Sequence, residues 1–404
     1  MEKLFERLLE LETGWTVSKV VTDLALGEVQ IHVECRLKKL MDTGSGGMCK
    51  VYDHAPMRKW RHLDIMQYKT YICCRLPRLR LPTGEVRTVE PSWASSHERH
   101  TYLFEHMVID LLRMSGNQTR TAAFMRCGFN VVNRIIHLST RRGMERRKLQ
   151  DHVLENLSID EKSFKKGHKY ITVLSDPRSG CVLDVEEDRT KEACKNLLDK
   201  TLTPDQQKEV RTVIMDMWKA FINTVKEAMP QAEIVHDRFH LVKYLNDALD
   251  KVRRREVKAH ELLRNSKYAL LKNPENLTEK QRIKFEQIKA ANHEVAKAWQ
   301  VRENFKDLFA SNTHEAFPLY MKWASDAANK GMKEVSKVVE MFHAHMKGVL
   351  NALVCNFSNA MAERLNGKIQ QLKSVARGYR TFANFRSAIL FFHGGLDLYP
   401  LKSW

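Results

Sequence analysis

Residues 169–185 read KYITVLSDPRSGCVLDV, two short runs of apolar and β-branched residues on either side of an Asp-Pro-Arg-Ser-Gly segment. This pattern predicts a β-hairpin. The chain continues with a helix at 191–198, a buried strand at 210–215, a helix at 218–229 and a strand at 232–236. With a first strand around Ile159, the order is three strands, helix, strand, helix, strand. That order predicts a ribonuclease-H-like α/β core.

Three carboxylates lie where such a core would bring them together. Asp160 comes just before the hairpin, and Asp216 directly follows the buried strand at 210–215. Open α/β sheets place their ligands outside the carboxyl ends of their strands. Glu363 lies on a predicted helix, nearly opposite an apolar stripe and among amide and small side chains. Three such carboxylates suit two Mg²⁺ ions and phosphoryl transfer, although turn, cap or solvated-face roles are the simpler alternatives.

Asp237 and His240 follow the last predicted core strand, three residues apart. At that spacing the two side chains share one helical turn near the carboxylates. We expect them to support the metal ligands without binding the metal ions themselves. Helix capping by Asp237 is the alternative.

The composition favours a polyanionic partner. The 404 residues include 67 Lys and Arg against 49 Asp and Glu, a formal net charge of +18, and 43% hydrophobic residues, which excludes a disordered chain. The eight cysteines form no Cys-x-x-Cys pair, and the N-terminus has no long apolar region. No stretch approaches the roughly 18 apolar residues of a membrane span. We therefore expect a cytoplasmic protein.

Two basic segments are candidates for nucleic-acid contact. Residues from about 102 to 148 predict three helices in a helix-turn-helix layout, with eight Lys or Arg after position 119 opposed only by Glu145. The basic residues of this segment are Arg120, Arg126, Arg134, Arg141, Arg142, Arg146, Arg147 and Lys148. Arg75, Arg78 and Arg80 alternate with apolar residues and would follow a phosphate backbone. A structural three-helix unit and a charged edge strand are the alternatives.

These patterns divide the chain into six predicted segments. They are an N-terminal helix and strand segment (1–40), a zinc-ribbon-like domain (41–95), a helix-turn-helix domain (100–150), the first part of the core (155–240), a long helical insertion (241–350) and the C-terminal core helices (351–396).

Several motifs, in this order, resemble transposases of the ISL-three group of bacterial insertion sequences. They are Tyr52-Asp53-His54 with Trp60-Arg61-His62-Leu63-Asp64, Ile159-Asp160-Glu161-Lys162-Ser163-Phe164, Met215-Asp216-Met217, Asp237-Arg238-Phe239-His240, and Ser358-Asn359-Ala360 with Ala362-Glu363 and Asn366. The resemblance implies a DDE recombinase in which Asp160, Asp216 and Glu363 bind two Mg²⁺ or Mn²⁺ ions. It also implies double-stranded DNA as substrate, a homodimer that pairs two transposon ends, and a bacterial, nucleoid-associated location.

The chain departs from the family at the N-terminal zinc ribbon, which is usually built from two Cys-x-x-Cys pairs. Here the matching positions are Asp42 and Ser45, then Leu81 and Gly84. Four-coordinate structural zinc needs Cys or His ligands, so we expect no zinc there.

The sequence therefore predicts a DDE transposase that cuts and joins DNA with Mg²⁺. Two alternatives remain open: a catalytically silent DNA-binding regulator derived from such an enzyme, and a ribonuclease-H-like nuclease that cuts without joining. Neither a Gly-rich phosphate loop nor a Ser/His/Asp nucleophile pattern is present, which disfavours NTP-driven chemistry.

Overall fold

The computed structural model divides the chain into two compact units, residues 1–149 with 396–404, and residues 150–395. The structure describes residues 2–42, 44, 46–95, 97–150, 153–165, 167, 169–291, 293–355 and 360–400, and for 360–363 the backbone alone. No helix in this described part is both long enough and apolar enough to cross a membrane.

The first unit begins with helix α1 and contains two four-stranded sheets. The elements are α1 (Glu2–Leu8), β1 (Trp15–Asp23), β2 (Glu28–Cys35), β3 (Lys39–Met41), β4 (Met48–His54), β5 (Arg58–Arg61), β6 (Lys69–Cys74), β7 (Pro77–Arg80) and β8 (Val86–Thr88). One sheet has the order β1-β2-β6-β5, with β2 and β6 parallel, and the other has the order β3-β4-β7-β8 and is antiparallel throughout. Strands β3 and β4 therefore leave the first sheet, and the chain returns to it with β5 and β6.

Tryptophans form the core beneath the first sheet. Trp93 packs edge-on against both Trp15 and Trp60, with ring centroids 5.2 and 6.0 Å apart. Alternate residues of β2, Val29, Ile31 and Val33, point into the same core, as expected for a strand with one buried face. Burial of these large rings stabilises the sheet.

An ion pair joins the two hairpins of the second sheet. Asp42 is 3% exposed and directly follows β3, and its backbone amide donates a hydrogen bond to the carbonyl of Gly47. Arg87 of β8 donates to both Asp42 carboxylate oxygens at 3.0 and 3.1 Å. Of the remaining positions matched to zinc ligands, Leu81 is buried, Gly84 has a positive φ of 87°, and Ser45 lies outside the described residues. A charged pair thus connects the hairpins at this point.

Three helices complete the first unit where the sequence predicts them: α2 (Tyr102–Ser115), α3 (Gln118–Phe124) and α4 (Phe129–Leu149). The hydroxyl of Thr101 and the side-chain oxygen of Asn117 accept the amides of Phe104 and Arg120, which caps α2 and α3. Gly116 ends α2 in the left-handed conformation at φ 60°.

A five-stranded mixed sheet forms the centre of the second unit. Its elements are β9 (Asn156–Lys165), β10 (Lys169–Asp176), β11 (Cys181–Glu187), α5 (Lys191–Thr201), α6 (Pro204–Glu209), β12 (Thr212–Met215), α7 (Lys219–Ala228) and β13 (Glu233–His236). The order is β11-β10-β9-β12-β13; β9, β10 and β11 are antiparallel, whereas β12 is parallel to both β9 and β13. The predicted hairpin is β10–β11.

Asp160 precedes the β10–β11 hairpin as predicted, but the further expectation that it marks the end of its strand is wrong. Asp160 lies in the middle of β9, opposite Val173 of β10. The continuation of the strand past Ile159 was not predicted, because residues 160–163 are polar and three of them, Asp160, Glu161 and Lys162, are only partly buried. Pairing with β12, however, stops at Ile159. Asp160 therefore lies where the pairing with the parallel strand β12 ends, although its own strand β9 continues.

Helices fill the rest of the second unit, as predicted for 241–350. They are α8 (Arg238–Glu256), α9 (Lys267–Leu271), α10 (Glu279–Ala290), α11 (Glu294–Asp307), α12 (Ala316–Asn329), α13 (Lys333–Ala344), α14 (Met346–Val354), α15 (Ala360–Val375) and α16 (Phe382–His393). Their aromatic core contains Phe305, Trp323 and Phe342 in mutual ring contact. The apolar face of α8, including Leu241, packs against this core.

Helix α16 is fastened to the edge of the sheet by a buried carboxylate. Asp184 of β11 is 1% exposed. Arg386 of α16 donates to its two oxygens at 2.7 and 2.8 Å, and Lys200 lies 3.6 Å away. This bidentate pair neutralises Asp184 within the fold.

Candidate carboxylate centre

Asp160 and Asp216 lie next to each other at one edge of the parallel strand pair. The register pairs Met215 of β12 with Ile159 of β9, so each aspartate is the residue after a paired position. Parallel neighbours are about 4.8 Å apart across a sheet. Their side chains are 16% and 23% exposed, which leaves both accessible from solvent. The structure thus brings together two of the three predicted carboxylates.

The first turns of α8 hold Asp216. The hydroxyl of Tyr244 donates to Oδ1 at 3.0 Å and lies 3.2 Å from Oδ2, and Nδ1 of His240 lies 3.2 Å from Oδ2. The amide of Met217 also donates to Oδ1, at 2.6 Å. His240 and Tyr244 are four residues apart and therefore share a helix face. One helix face thus sets the orientation of this carboxylate.

The contacts shift the pKa values of the whole group. Burial by itself raises the pKa of Asp216, but the hydrogen bond and charge of His240 and the bonds from Met217 and Tyr244 outweigh it, and the pKa is lowered. Burial lowers the pKa of His240, but its bond to Asp216 prevails and the pKa is raised. Burial, followed by the charge of Asp216, raises the pKa of Tyr244. At neutral pH these shifts favour an ionised Asp216 beside a tyrosine that stays a donor.

Asp160 is held by groups from β9 and α15. Lys162, two residues along the strand and so on the same face, places Nζ 3.0 Å from Oδ2. Asn366 of α15 donates through Nδ2 to the same oxygen at 2.9 Å, and the amide of Glu161 donates to Oδ1 at 2.7 Å. Glu161 itself is paired with Arg189, away from Asp160.

The third predicted carboxylate, Glu363, has a described backbone within α15, but its side chain lies outside the described residues. Its position precedes Asn366 by three residues, one turn of the same helix.

Asp237 begins α8. Its carboxylate accepts the amide of Phe239 at 2.8 Å, which is an N-cap bond. Its charge also contributes to raising the pKa of His240. The neighbouring Arg238 donates to the carbonyls of Ala352 and Leu353 and so connects the start of α8 to the end of α14.

Sequence reasoning missed Tyr244 and Lys162 as contacts of the carboxylates. The signal for Tyr244 was its spacing of four from His240, and for Lys162 the spacing of two from Asp160 along a strand. The role of Asn366 depends on a contact between residues 206 positions apart.

Five of the predicted DNA-binding arginines are ion-paired within the first unit. The pairs are Arg78 with Asp53, Arg126 with Asp64, Arg134 with Glu98, Arg142 with Glu105 and Arg146 with Asp397. Glu98 and Glu105 are buried, so their arginines compensate charges that would otherwise be costly.

The other predicted basic residues are more open. Arg75, Arg120, Arg141 and Lys148 are exposed and make no ion pair within the described part of the chain. Arg80 is exposed and lies over the ring of Tyr52 at 4.0 Å. Arg147 contacts the sulfur of Met144. The predicted DNA-binding residues therefore include five arginines that are ion-paired and five exposed residues, Arg75, Arg80, Arg120, Arg141 and Lys148, that make no ion pair within the described part of the chain.

Comparisons with known proteins agree with the resemblance noted in the sequence. The model of the DDE transposase family of the ISL-three group, described as "Transposase", matches residues 157–389. The chain is 26% identical over 393 residues to the transposase for insertion sequence element IS1001 of Bordetella parapertussis, covering 93% of this chain and 95% of that protein. It is 27% identical over 361 residues to the transposase for insertion sequence element IS1557 of Mycobacterium tuberculosis, covering 82% and 80%.

Two crystal structures of Mos1 complexes were also found, the strand transfer complex and a pre-cleavage transpososome. They are 12% and 11% identical to the chain, each covering 56% of it and 78% of the solved chain, with TM-scores of 0.16 and 0.17. Those scores are too low to define a common fold. The family match spans more than half of the chain and includes both described aspartates, so the chain belongs to the DDE transposases of the ISL-three group, enzymes that act on DNA.

Proposed function

We propose that this transposase cleaves insertion-sequence ends and joins them to target DNA in a Mg²⁺-dependent reaction at Asp160, Asp216 and Glu363. The observation that carries the proposal is the adjacency of Asp160 and Asp216, each following a paired residue of neighbouring parallel strands. The bond from Asn366 to Asp160 supports the third ligand, because it places α15 at the same centre. Positions three apart on a helix lie on one face, and Glu363 precedes Asn366 by three.

A ribonuclease-H-like core is the fold we assign to the second unit. The sheet order, with three antiparallel strands followed by two parallel strands joined through helices, supports it. The ligands then lie at the carboxyl end of β12, beside the point where its pairing with β9 stops.

The residues fit divalent metal ions, which DDE transposases use. Carboxylate oxygens are the ligands that Mg²⁺ and Mn²⁺ prefer, and both Asp160 and Asp216 have lone pairs beyond those used by their present donors. Bound there, two ions would activate the attacking oxygen and stabilise the leaving oxygen of an in-line displacement. Asp160, Asp216 and Glu363 would hold them.

The other residues of the centre position these ligands. Tyr244 and His240 fix the rotation of the Asp216 carboxylate, and Lys162 and Asn366 fix that of Asp160. Such supporting bonds orient ligands and tune their basicity. Lys162 and His240 also lower the repulsion between two neighbouring carboxylates before metal binds.

We assign DNA contact to the helix-turn-helix layout of α2, α3 and α4 and to the exposed basic residues. Arg75, Arg80, Arg120, Arg141 and Lys148 are exposed and free to meet phosphates. The ion-paired arginines serve the fold first. Pairing of two DNA ends by a homodimer and association with the bacterial nucleoid in the cytoplasm complete this proposal.

A strand-transfer assay tests the function. Purified protein, a DNA carrying the insertion-sequence end, and Mg²⁺ should give joined products. Cleavage without joining would indicate a nuclease, and binding without cleavage a silent regulator. Asp216→Asn should abolish both steps, whereas Asp205→Asn, at a carboxylate that is 89% exposed, should leave them unchanged. Full activity of Asp216→Asn would overturn the assignment of this ligand.

A further inference from the structure

A second group of potential ligands lies at the opposite end of α8 from the aspartates. Glu256 ends this helix, His260 follows in the next turn, and His293 precedes α11. One ligand atom from each residue lies within 4.8 Å of the other two. Among the residues that the structure describes, no other set of three His, Cys, Asp or Glu side chains comes together in this way.

The donor set differs from that of the carboxylate centre. Two imidazoles and one carboxylate are ligands typical of Zn²⁺, whereas Mg²⁺ prefers oxygen alone. For three atoms at this spacing, there is always a point within about 2.8 Å of all of them. Zinc bonds to nitrogen and carboxylate oxygen are about 2.0–2.2 Å long, so the side chains need to move by less than about 1 Å. All three residues are partly exposed, so an ion and a water ligand can reach them.

Glu256 is already oriented by the start of α11. Its Oε1 accepts the amide of Glu294 at 3.2 Å, and its Oε2 accepts the amide of Val295 at 2.7 Å. A carboxylate has about four lone-pair positions, so both oxygens keep capacity for a metal. Hydrogen bonds of this kind to a ligating carboxylate are the usual support of a metal site.

The two histidines are also prearranged. Their rings stack with centroids 4.0 Å apart and planes inclined by 30°. This places the two imidazoles side by side at the junction of two helices before any ion is bound.

The nearby arginines are compensated by other carboxylates. Arg253 and Arg254 bind Asp250. Arg255 is paired with Glu294 and lies 3.6 Å from Glu334. The charge of these three arginines is therefore balanced locally, which reduces their repulsion of a cation.

We propose that Glu256, His260 and His293 form a Zn²⁺ site that joins the end of α8 to the start of α11. The site is distinct from the carboxylate centre, since the helix separates His240 from Glu256 by 16 residues, about 24 Å. The ion fixes the far end of the helix whose first turns hold Asp216. With three protein ligands, the ion keeps a fourth position for water.

Zinc titration of the full-length, chelator-treated protein tests the site. ZnCl₂ alone is the probe, and calorimetry gives stoichiometry and affinity. The wild type should bind one equivalent of Zn²⁺. The double variant His260→Gln/His293→Gln should not bind this ion, or should bind it at least about tenfold more weakly, because even residues that only support a metal ligand contribute 10–100-fold to affinity. His314→Gln, at an exposed histidine of the same helical region, is the matched control and should bind as the wild type. Equal binding by the wild type and the double variant would overturn the proposal.

A second measurement locates the ion independently of the variants. Wild-type crystals soaked in ZnCl₂ should show an anomalous difference peak between the three side chains. Zinc peaks elsewhere with none at this position would overturn the site even if the double variant failed to fold. Neither readout involves DNA, so the result stands apart from the test of strand transfer.

Discussion

Asp184 and the Asp160–Asp216 pair belong to the same five-stranded sheet but differ in their burial and in their hydrogen-bond donors. Asp184 is almost fully buried, and Arg386 donates a hydrogen bond to each of its two oxygens. Asp160 and Asp216 are partly exposed, and their donors are a lysine, a histidine, a tyrosine and an amide. A bidentate arginine occupies the two carboxylate oxygens that a metal ion would otherwise bind. The difference separates a structural carboxylate from two that remain available as ligands.

We expect the largest effect of any substitution in this comparison on activity, when one of the two ligand aspartates is replaced. Asp160→Asn should lower strand transfer by at least about a hundredfold, the upper range for losing a residue that only supports a metal ligand. The free energy of unfolding should change by less than about 1 kcal/mol, because the Lys162 pair is partly exposed. Joined products per minute and urea unfolding give the two quantities. A strong loss of stability together with activity would make Asp160 a structural residue like Asp184.

Asp184→Ala should show the opposite pattern. Removing this carboxylate leaves Arg386 without its partner and should destabilise the second unit by about 3 kcal/mol, at the low end for a broken buried pair because Arg386 is 31% exposed. Strand transfer per folded molecule should be retained. The double variant Asp184→Ala/Arg386→Met should recover part of the loss, since no unpaired charge remains. Urea midpoints that are equal for the single and double variants would contradict this account.

His236, at the end of strand β13 of the same sheet, is a buried ionisable group that makes no ion pair within the described residues. It is 3% exposed, its Nδ1 lies 3.4 Å from the carbonyl oxygen of Met215, and burial lowers its pKa to about 4. The unfolded chain takes up this proton near pH 6.5, whereas the folded protein does so only near pH 4. Stability should therefore fall by up to about 3 kcal/mol as the pH drops through this window.

His236→Gln should flatten that part of the curve of unfolding free energy against pH. The exposed His343→Gln is the control and should keep the wild-type slope. An unchanged slope in His236→Gln would show that another group accounts for the acid sensitivity.

The smallest effect is expected at Tyr244. Tyr244→Phe removes one of the donors to Asp216 while His240 and the Met217 amide remain. Strand transfer should fall by about tenfold, the lower range for a residue that supports a metal ligand. Tyr268→Phe, at a tyrosine that is 62% exposed, should have no effect. A loss as large as that of Asp160→Asn would imply that Tyr244 contacts the reacting groups directly.

Local patterns predicted much of the second unit, because its strands bury continuous apolar runs and its helices have clear periodicity. The strand β12 and the position of Asp216 followed from Val213, Ile214 and Met215 alone. The middle of β9 was missed because partly buried polar residues interrupt the apolar pattern there.

Contacts between distant residues were beyond local reasoning. Arg126 and Arg146 looked like free cations, yet Asp64 and Asp397 lie 62 and 251 residues away from them in sequence. A basic cluster in a sequence does not show which of its side chains form ion pairs within the folded protein. Tyr244 and Asn366 likewise make their contacts only after folding, because α8 must pack at the end of β12 and α15 must pack against β9.

The bond between Asn366 and Asp160 also has a consequence during synthesis. About 150 residues separate Asp216 from Asn366, and ribosomes add about 5–20 residues per second, so roughly 8–30 seconds pass between their appearance. Throughout that interval the nascent chain carries both aspartates without the helix that completes their surroundings. A truncated product ending before α15 would keep residues 1–149 but lack both this helix and residues 396–404 of the first unit. On the proposed function, such a product is expected to bind DNA without cutting it.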